Sequence, residues 1–191
     1  MGATQYTVGM DEVGRGCWAG PVVAGAVILK RTISGVKDSK LLDRQKRNEL
    51  DIIIRKHAVA VGVGWADVAE INALGLTRSL ELAFSRALAE ITVEYQQVII
   101  DGKYNFLHGE PRATTLVDAD ATMPVVSAAS IIAKVARDNF MIQMAERYPD
   151  YGFERHVGYG TKLHQEALAH IGLCDLHRTN FKPIRGLLAE A

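Results

Sequence analysis

Five acids are distributed along the chain in a way that could gather a divalent cation. Asp11 and Glu12 stand side by side after a short apolar run, Asp101 ends the run "VII", and Asp118 and Asp120 lie two residues apart ahead of Pro124. Carboxylates brought to about 3–5 Å repel strongly at low dielectric and stay ionised only where a cation neutralises them. Donors that are all oxygen suit Mg²⁺ or Mn²⁺. Taken singly, each acid also has an ordinary reading: Asp11 and Glu12 in a strand-end turn, Asp101 in a "DG" turn, Asp118 or Asp120 ahead of a helix. Spacing alone leaves the two readings evenly matched.

Such acids need rigid elements to hold them. "QYTVGMDE" and "PVVAGAVIL" read as strands joined by the glycine-rich "VGRGCWAG", and "HAVAVGVGWA" as a third whose small residues suggest close backbone approach. Successive strand residues face opposite ways, so Asp11 and Glu12 cannot both face the core unless the strand twists or ends there. "DRQKRNELDIIIRKH" reads as a helix capped by Asp43, and "GLTRSLELAFSRALAEI" as another with apolar residues at helical intervals. "QQVIID" is a fourth strand that ends at Asp101, where open α/β sheets place their ligands. The short run "TTLVDAD" puts Asp118 and Asp120 on one face if it is extended. Pro124 then opens a long helix, "TKLHQEALAHI" a shorter amphipathic one, and "HRTNFKPIRGLL" a tail that caps the domain.

Composition sets the limits. The 191 residues, 48% hydrophobic and 23% charged, fit one well-packed domain over 1–191, with a C-terminal helical part from about 161. Lys plus Arg and Asp plus Glu both number 22, so a nucleic-acid footprint must be local. The apolar stretch at 58–66 is far below the roughly 20 residues of a membrane span. Cys17 and Cys174 match no metal spacing, and no secretory signal opens the chain, so a cytoplasmic setting is the expectation.

Six ordered blocks carry a resemblance: "DEVGRG" with "AGPVVAGAV" (11–27), "DSK" (38–40), "IDG" (100–102), "SAASIIAKVARD" (127–138), "YGFERHVGYGT" (151–161) and "HRTNF" (177–181). Over almost its whole length the sequence resembles the ribonuclease HII family. The resemblance implies a ribonuclease H-like fold, a mixed five-stranded sheet flanked by helices with a helical C-terminal extension. It also implies an endonuclease that hydrolyses the RNA strand of RNA–DNA hybrids and cuts 5′ to ribonucleotides embedded in duplex DNA, as in ribonucleotide excision repair. Related ribonuclease HIII carries an extra N-terminal domain, for which the ten residues before Asp11 leave no room.

By the same resemblance Asp11, Glu12, Asp101 and Asp120 are the catalytic, metal-holding acids, with two Mg²⁺ or Mn²⁺ ions about 4 Å apart. Asp11 would bridge both ions, Glu12 and Asp101 hold one, and Asp120 the other near the attacking water, leaving 3′-hydroxyl and 5′-phosphate ends. Asp118 occupies a position where the family usually has lysine, which bears on metal affinity. The loop Gly14, Arg15 and Gly16 would sense the ribose 2′-hydroxyl, Tyr159 would stack on the following deoxyribose, and Lys40 would contact a phosphate.

On the long helix Ser127, Ser130, Lys134 and Asp138 recur at steps of three and four, a polar stripe suited to a substrate groove, while the alanines between them suit packing on the sheet. His156, His164, His170 and His177 read as surface or groove residues, His156 and His177 being nearest to nucleic acid. The expected partners are RNA–DNA hybrid and ribonucleotide-containing duplex. A monomer is the default; no sliding-clamp peptide stands out in "PIRGLLAEA", and no protein partner is identified.

Overall fold

The computed structural model describes residues 5–36 and 42–189. Lys40 and the rest of "DSK" lie outside the described residues. Five strands, β1 (Thr7–Val13), β2 (Val22–Leu29), β3 (Ala58–Ala66), β4 (Gln97–Asp101) and β5 (Ala113–Leu116), form one sheet in the order β3-β2-β1-β4-β5. The first three run as an antiparallel meander, and β4 and β5 join it in parallel. This is the expected mixed sheet.

Helix α1 (Arg44–His57) starts where Asp43 accepts the Lys46 amide at 2.7 Å, as its position ahead of the amphipathic run predicts. A short helix not anticipated from the sequence, α2 (Val68–Leu74), is closed by a reciprocal cap between Asp67 and Glu70 and leads through Gly75 into α3 (Leu76–Ala89). Beyond β5 come the one-turn helix α4 (Ala119–Thr122) and the long α5 (Pro124–Arg147). The remainder is helical: a 3₁₀ turn (Pro149–Tyr151), α6 (Phe153–His156), α7 (Lys162–Ile171) and α8 (Lys182–Ala189). Among the described residues no helix is long and apolar enough to cross a membrane.

Side-chain alternation divides the sheet's core in two. Val8, Met10, Ala24, Ala26, Val98 and Ile100 meet Leu80, Ala83, Phe84 and Ala87 of α3, while Val27 meets α1 and α5 through Leu50, Ile54, Ala128 and Ile132. Helix α5 lies on the sheet backbone to backbone. A β-carbon on Gly9 would fall 2.5 Å from the Val125 carbonyl carbon, and one on Gly25 would collide with the Ala129 carbonyl. A third cluster joins Ala19 and Met141 to Tyr151, Phe153, Val157, Leu168 and Ile184 of the C-terminal helices.

Three histidines expected at the surface or groove are instead part of this third region. His156, His164 and His177 are buried, and their rings form one hydrogen-bonded stack. Gly158 donates its amide to His156 Nδ1 at 3.2 Å, so Nε2 donates to the Tyr151 carbonyl. His164 Nδ1 donates to the Tyr159 carbonyl at 3.0 Å, leaving Nε2 to accept from His177 Nε2 at 3.1 Å. His177 Nδ1 accepts the Cys174 amide at 2.9 Å. Each ring thus holds one proton, and one more on His164 would set two donors against each other. Burial lowers the pKa of all three, His164 to about 4.

Two consequences are measurable. Gly9→Ala should destabilise the fold by about 1–3 kcal/mol in denaturant titration, because α5 has nowhere to retreat, while Gly16→Ala, with open space at its β-carbon, should stay within about 0.5 kcal/mol. The unfolded chain protonates His164 near 6.5 and the folded one only near 4, so this group removes stability as pH falls between those values. Compared at pH 7.5 and pH 5, the thermal midpoint of the wild type should drop further than that of His164→Gln.

Candidate active site

Strands β1 and β4 are parallel neighbours with Met10 opposite Ile100, so Asp11 and Asp101 come next in register. They are in phase with Gly9 and Ile99, which face α5 and the α4–α5 junction. Both acids therefore point to the α5 side, at the carboxyl ends of their strands. Strand β1 runs on through Val13, paired with β2, and Glu12 takes the opposite face. That alternation settles how two adjacent acids are accommodated in one strand.

Asp120 arrives by a local device. The Asp101 carboxylate accepts the backbone amides of Ala119 at 2.8 Å and Asp120 at 3.3 Å, so it caps α4 and draws that turn onto the end of β4. Asp118 precedes the turn with φ 56°, exposed, its backbone left-handed. The extended run imagined for Asp118 and Asp120 is thus a helical turn, which parts the two: Asp120 is buried, Asp118 is not. One carboxylate oxygen from each of Asp11, Asp101 and Asp120 lies within 4.8 Å of the others.

Glu12 stands beside this trio, paired with Arg15 at 3.1 Å. Burial raises the Asp11 pKa to about 8, the Glu12 and Asp101 charges adding to it against hydrogen bonds from Ser130 and the Glu12 amide. Burial raises that of Glu12 too, opposed by the hydrogen bond and charge of Arg15. Carboxylate oxygens gathered this closely, two of them on buried side chains, are the hard donors that a divalent cation takes, so the donor set fits Mg²⁺ or Mn²⁺.

Asp11, Glu12 and Asp101 open into a cavity of about 420 Å³ that Gly14, Arg15, Gly16 and Tyr159 also line. Gly14 has φ 93° and its missing side chain leaves room for Arg137, whereas Gly16 faces open space. The Arg15 guanidinium lies 5.9 Å from the Tyr104 ring centre and 5.8 Å from that of Phe106. Burial raises the Tyr159 hydroxyl pKa to about 12, and the ring keeps an exposed face.

Comparison with known proteins bears on what this cluster is for. The sequence profile of ribonuclease HII matches residues 8–184. The ribonuclease HII of Halorhodospira halophila is 49% identical over 183 residues, covering 95% of this chain and 94% of its own. The chain belongs to the ribonuclease HII family. The ribonuclease H2 of Pyrococcus horikoshii OT3 has the same fold with a TM-score of 0.83 and 25% identity, covering 97% of this chain and 98% of that one. The ribonuclease HII of Archaeoglobus fulgidus, solved in complex with PCNA, gives a TM-score of 0.77 and 26% identity over 93% of this chain and 95% of that one. Membership of the ribonuclease HII family makes the protein a metal-dependent nuclease, cleaving RNA internally within RNA–DNA hybrids.

Other residues behind this ribonuclease HII site did not stand out in the sequence. Arg137 and Arg178 are wholly buried, and each spends three donors on carbonyl oxygens: Arg137 on Pro21, Val157 and Ala19, Arg178 on Gly20, Pro21 and Arg15. They tie the 14–21 loop to the turn before Tyr159. Both lie inside the resembling blocks "SAASIIAKVARD" and "HRTNF", but their spacing does not mark them as anchors of the loop; Arg137 adds only a charge midway between Ala133 and Met141 on the apolar face of α5. The polar stripe divides: Ser130 and Lys134 line the cavity, while Ser127 and Asp138 are buried, Ser127 bonded to the Asp120 carbonyl.

The geometry separates the two late acids experimentally. Calorimetric titration with Mn²⁺ should show Asp120→Asn weakened by more than about tenfold, the loss expected even for a residue that merely supports a metal ligand, and Asp118→Asn close to wild type.

Proposed function

We propose that the protein cuts on the 5′ side of ribonucleotides embedded in duplex DNA, as well as within RNA–DNA hybrids, and that Asp11, Glu12, Asp101 and Asp120 hold two divalent ions for the purpose. The observation that carries this reading is the approach of Asp11, Asp101 and Asp120 to within 4.8 Å beside the Gly14–Gly16 loop. It sets a cation site and a sugar-sized recognition loop in one cavity.

When bound, such a pair of ions, Mg²⁺ or Mn²⁺, supplies an activated water and neutralises charge on the phosphate and the leaving oxygen. The chain's own residues do the rest. Asp11 and Asp101, on adjacent strand ends, give the ion site its rigidity, and the Asp101 cap keeps Asp120 in reach. Glu12, now paired with Arg15, would be a further ligand for such a cation, and the Arg15 guanidinium would then be available to a phosphate. The main chain around Gly14 approaches the ribose closely enough to read its 2′-hydroxyl, the group that marks RNA. Tyr159 offers its exposed ring face to the next sugar. Lys40 remains proposed as a phosphate contact from the sequence alone. The products are a 3′-hydroxyl and a 5′-phosphate, and we place the enzyme in the cytoplasm, acting as a monomer in ribonucleotide excision.

End-labelled duplex DNA with a single ribonucleotide tests this directly. With Mg²⁺ or Mn²⁺ the wild type should give one cut 5′ to the ribonucleotide, with Asp11→Asn reduced on the order of 10²–10³-fold or more in kcat. An enzyme that degrades long hybrid but leaves this substrate intact would confine the activity to hybrids.

A further inference from the structure

The cavity that holds the acids is also lined by two cations, and these share one buried counter-ion. Arg47 of α1 and Lys134 of α5 both line the cavity. Lys134 Nζ lies 2.8 Å from Asp138 Oδ1, and Arg47 Nη2 lies 3.9 Å from Asp138 Oδ2. Arg47 also donates to the Leu42 carbonyl. The Asp138 side chain is 7% exposed against 17% and 25% for Arg47 and Lys134. The carboxylate therefore sits behind the two cations and orients them toward the opening. Two positive charges against one negative leave this part of the lining with one net positive charge. The Lys134 ammonium also lies 5.6 Å from the centre of the Tyr159 ring, so it borders the surface assigned above to a sugar.

A pair meant only to fasten α1 to α5 needs one cation and gains from burying it. Here two are supplied, and both keep part of their charge in the cavity. A nucleic-acid strand that crosses the acid cluster brings further phosphates, each an anion with oxygens that a guanidinium fork and an ammonium can share. We propose that Arg47 and Lys134, positioned by Asp138, form a subsite for a backbone phosphodiester next to the sugar on Tyr159. This rests on the reading of the cavity as the nuclease site and assigns a second place on the strand, apart from the phosphate that is cut. The ligand is a phosphodiester anion irrespective of base sequence, so the subsite adds affinity and register but no base specificity.

The test separates phosphate binding from general stability. Binding of a fluorescent duplex with one ribonucleotide, with Ca²⁺ replacing the active metal, is measured across 50–300 mM KCl. A variant that neutralises one phosphate fewer should show a slope of log K against log salt shallower by about 0.9. Lys134→Met and Arg47→Met are each expected to fall by about that much, and Lys134→Arg to keep the wild-type slope. Lys46→Met, which removes an exposed charge one residue from Arg47 that pairs with Glu49, should leave the slope unchanged. If Lys134→Met folds poorly, Lys134→Gln, which keeps a hydrogen-bond donor for Asp138, removes the same charge and should show the same reduction. Wild-type slopes in Lys134→Met and Arg47→Met, or an equal reduction in Lys46→Met, would overturn the subsite while cleavage by the wild type left the nuclease reading standing. Failure of the wild type to cut both the single-ribonucleotide duplex and long RNA–DNA hybrid would count against the reading of the cavity itself.

Discussion

The direct contact of α5 with the sheet at Gly9 and Gly25 governs where everything else at the site can be. With no side chain at either position the helix axis comes down onto β1 and β2, and the helix then delivers its residues at fixed heights. Ser130 reaches Asp11, Arg137 reaches the loop beyond β1, and Lys134 stands over Tyr159. The one-turn helix before Pro124 is held on the end of β4 by the Asp101 cap, which is how Asp120 comes to share space with Asp11 and Asp101. A side chain at Gly9 would lift this whole row at once.

The acid cluster and the Gly14–Gly16 loop are stabilised by different physics. The acids are brought together against their own repulsion by strand register and a helix cap, and a cation relieves the cost. The loop is held by permanent cations, Arg137 and Arg178, whose donors satisfy backbone carbonyls that would otherwise be buried without partners. Backbone hydrogen bonds from Trp18 and Ala19 to Gly158 and from Arg178 to Trp18 complete the join between loop and C-terminal helices. The first system is tunable by metal and pH, and the second is not.

The strands, the long helices and the acids were readable because each has a local signature: period, cap residue, or a carboxylate at the end of an apolar run. Asp43, Pro124 and "QQVIID" behave in the structure as their spacing suggests. What escaped was decided by tertiary partners. Helix α2 is only seven residues long, too short for a clear period, and is fixed by its Asp67–Glu70 cap. His156, His164 and His177 look polar in sequence, yet they satisfy one another and nearby backbone groups, so they can be buried. Arg137 and Arg178 follow the same rule, with carbonyls over a hundred residues away as their acceptors. The resemblance to ribonuclease HII supplied the acids and the loop as a set; it gave no hint that Asp138 pairs with both Arg47 and Lys134.

The loop's dependence on Arg178 has a consequence for the order in which the molecule comes together. The bonds from Arg178 to Gly20, Pro21 and Arg15 span 157 to 163 residues, against 19 or fewer for the cap that unites Asp101 with Asp120. Closing long loops costs more chain entropy, and pairings of large sequence separation tend to form late. The turn that carries Asp120 can therefore close on Asp101 before the loop at Gly14–Gly16 is fastened by Arg178. That part of the site waits for residues near the C-terminal end of the chain.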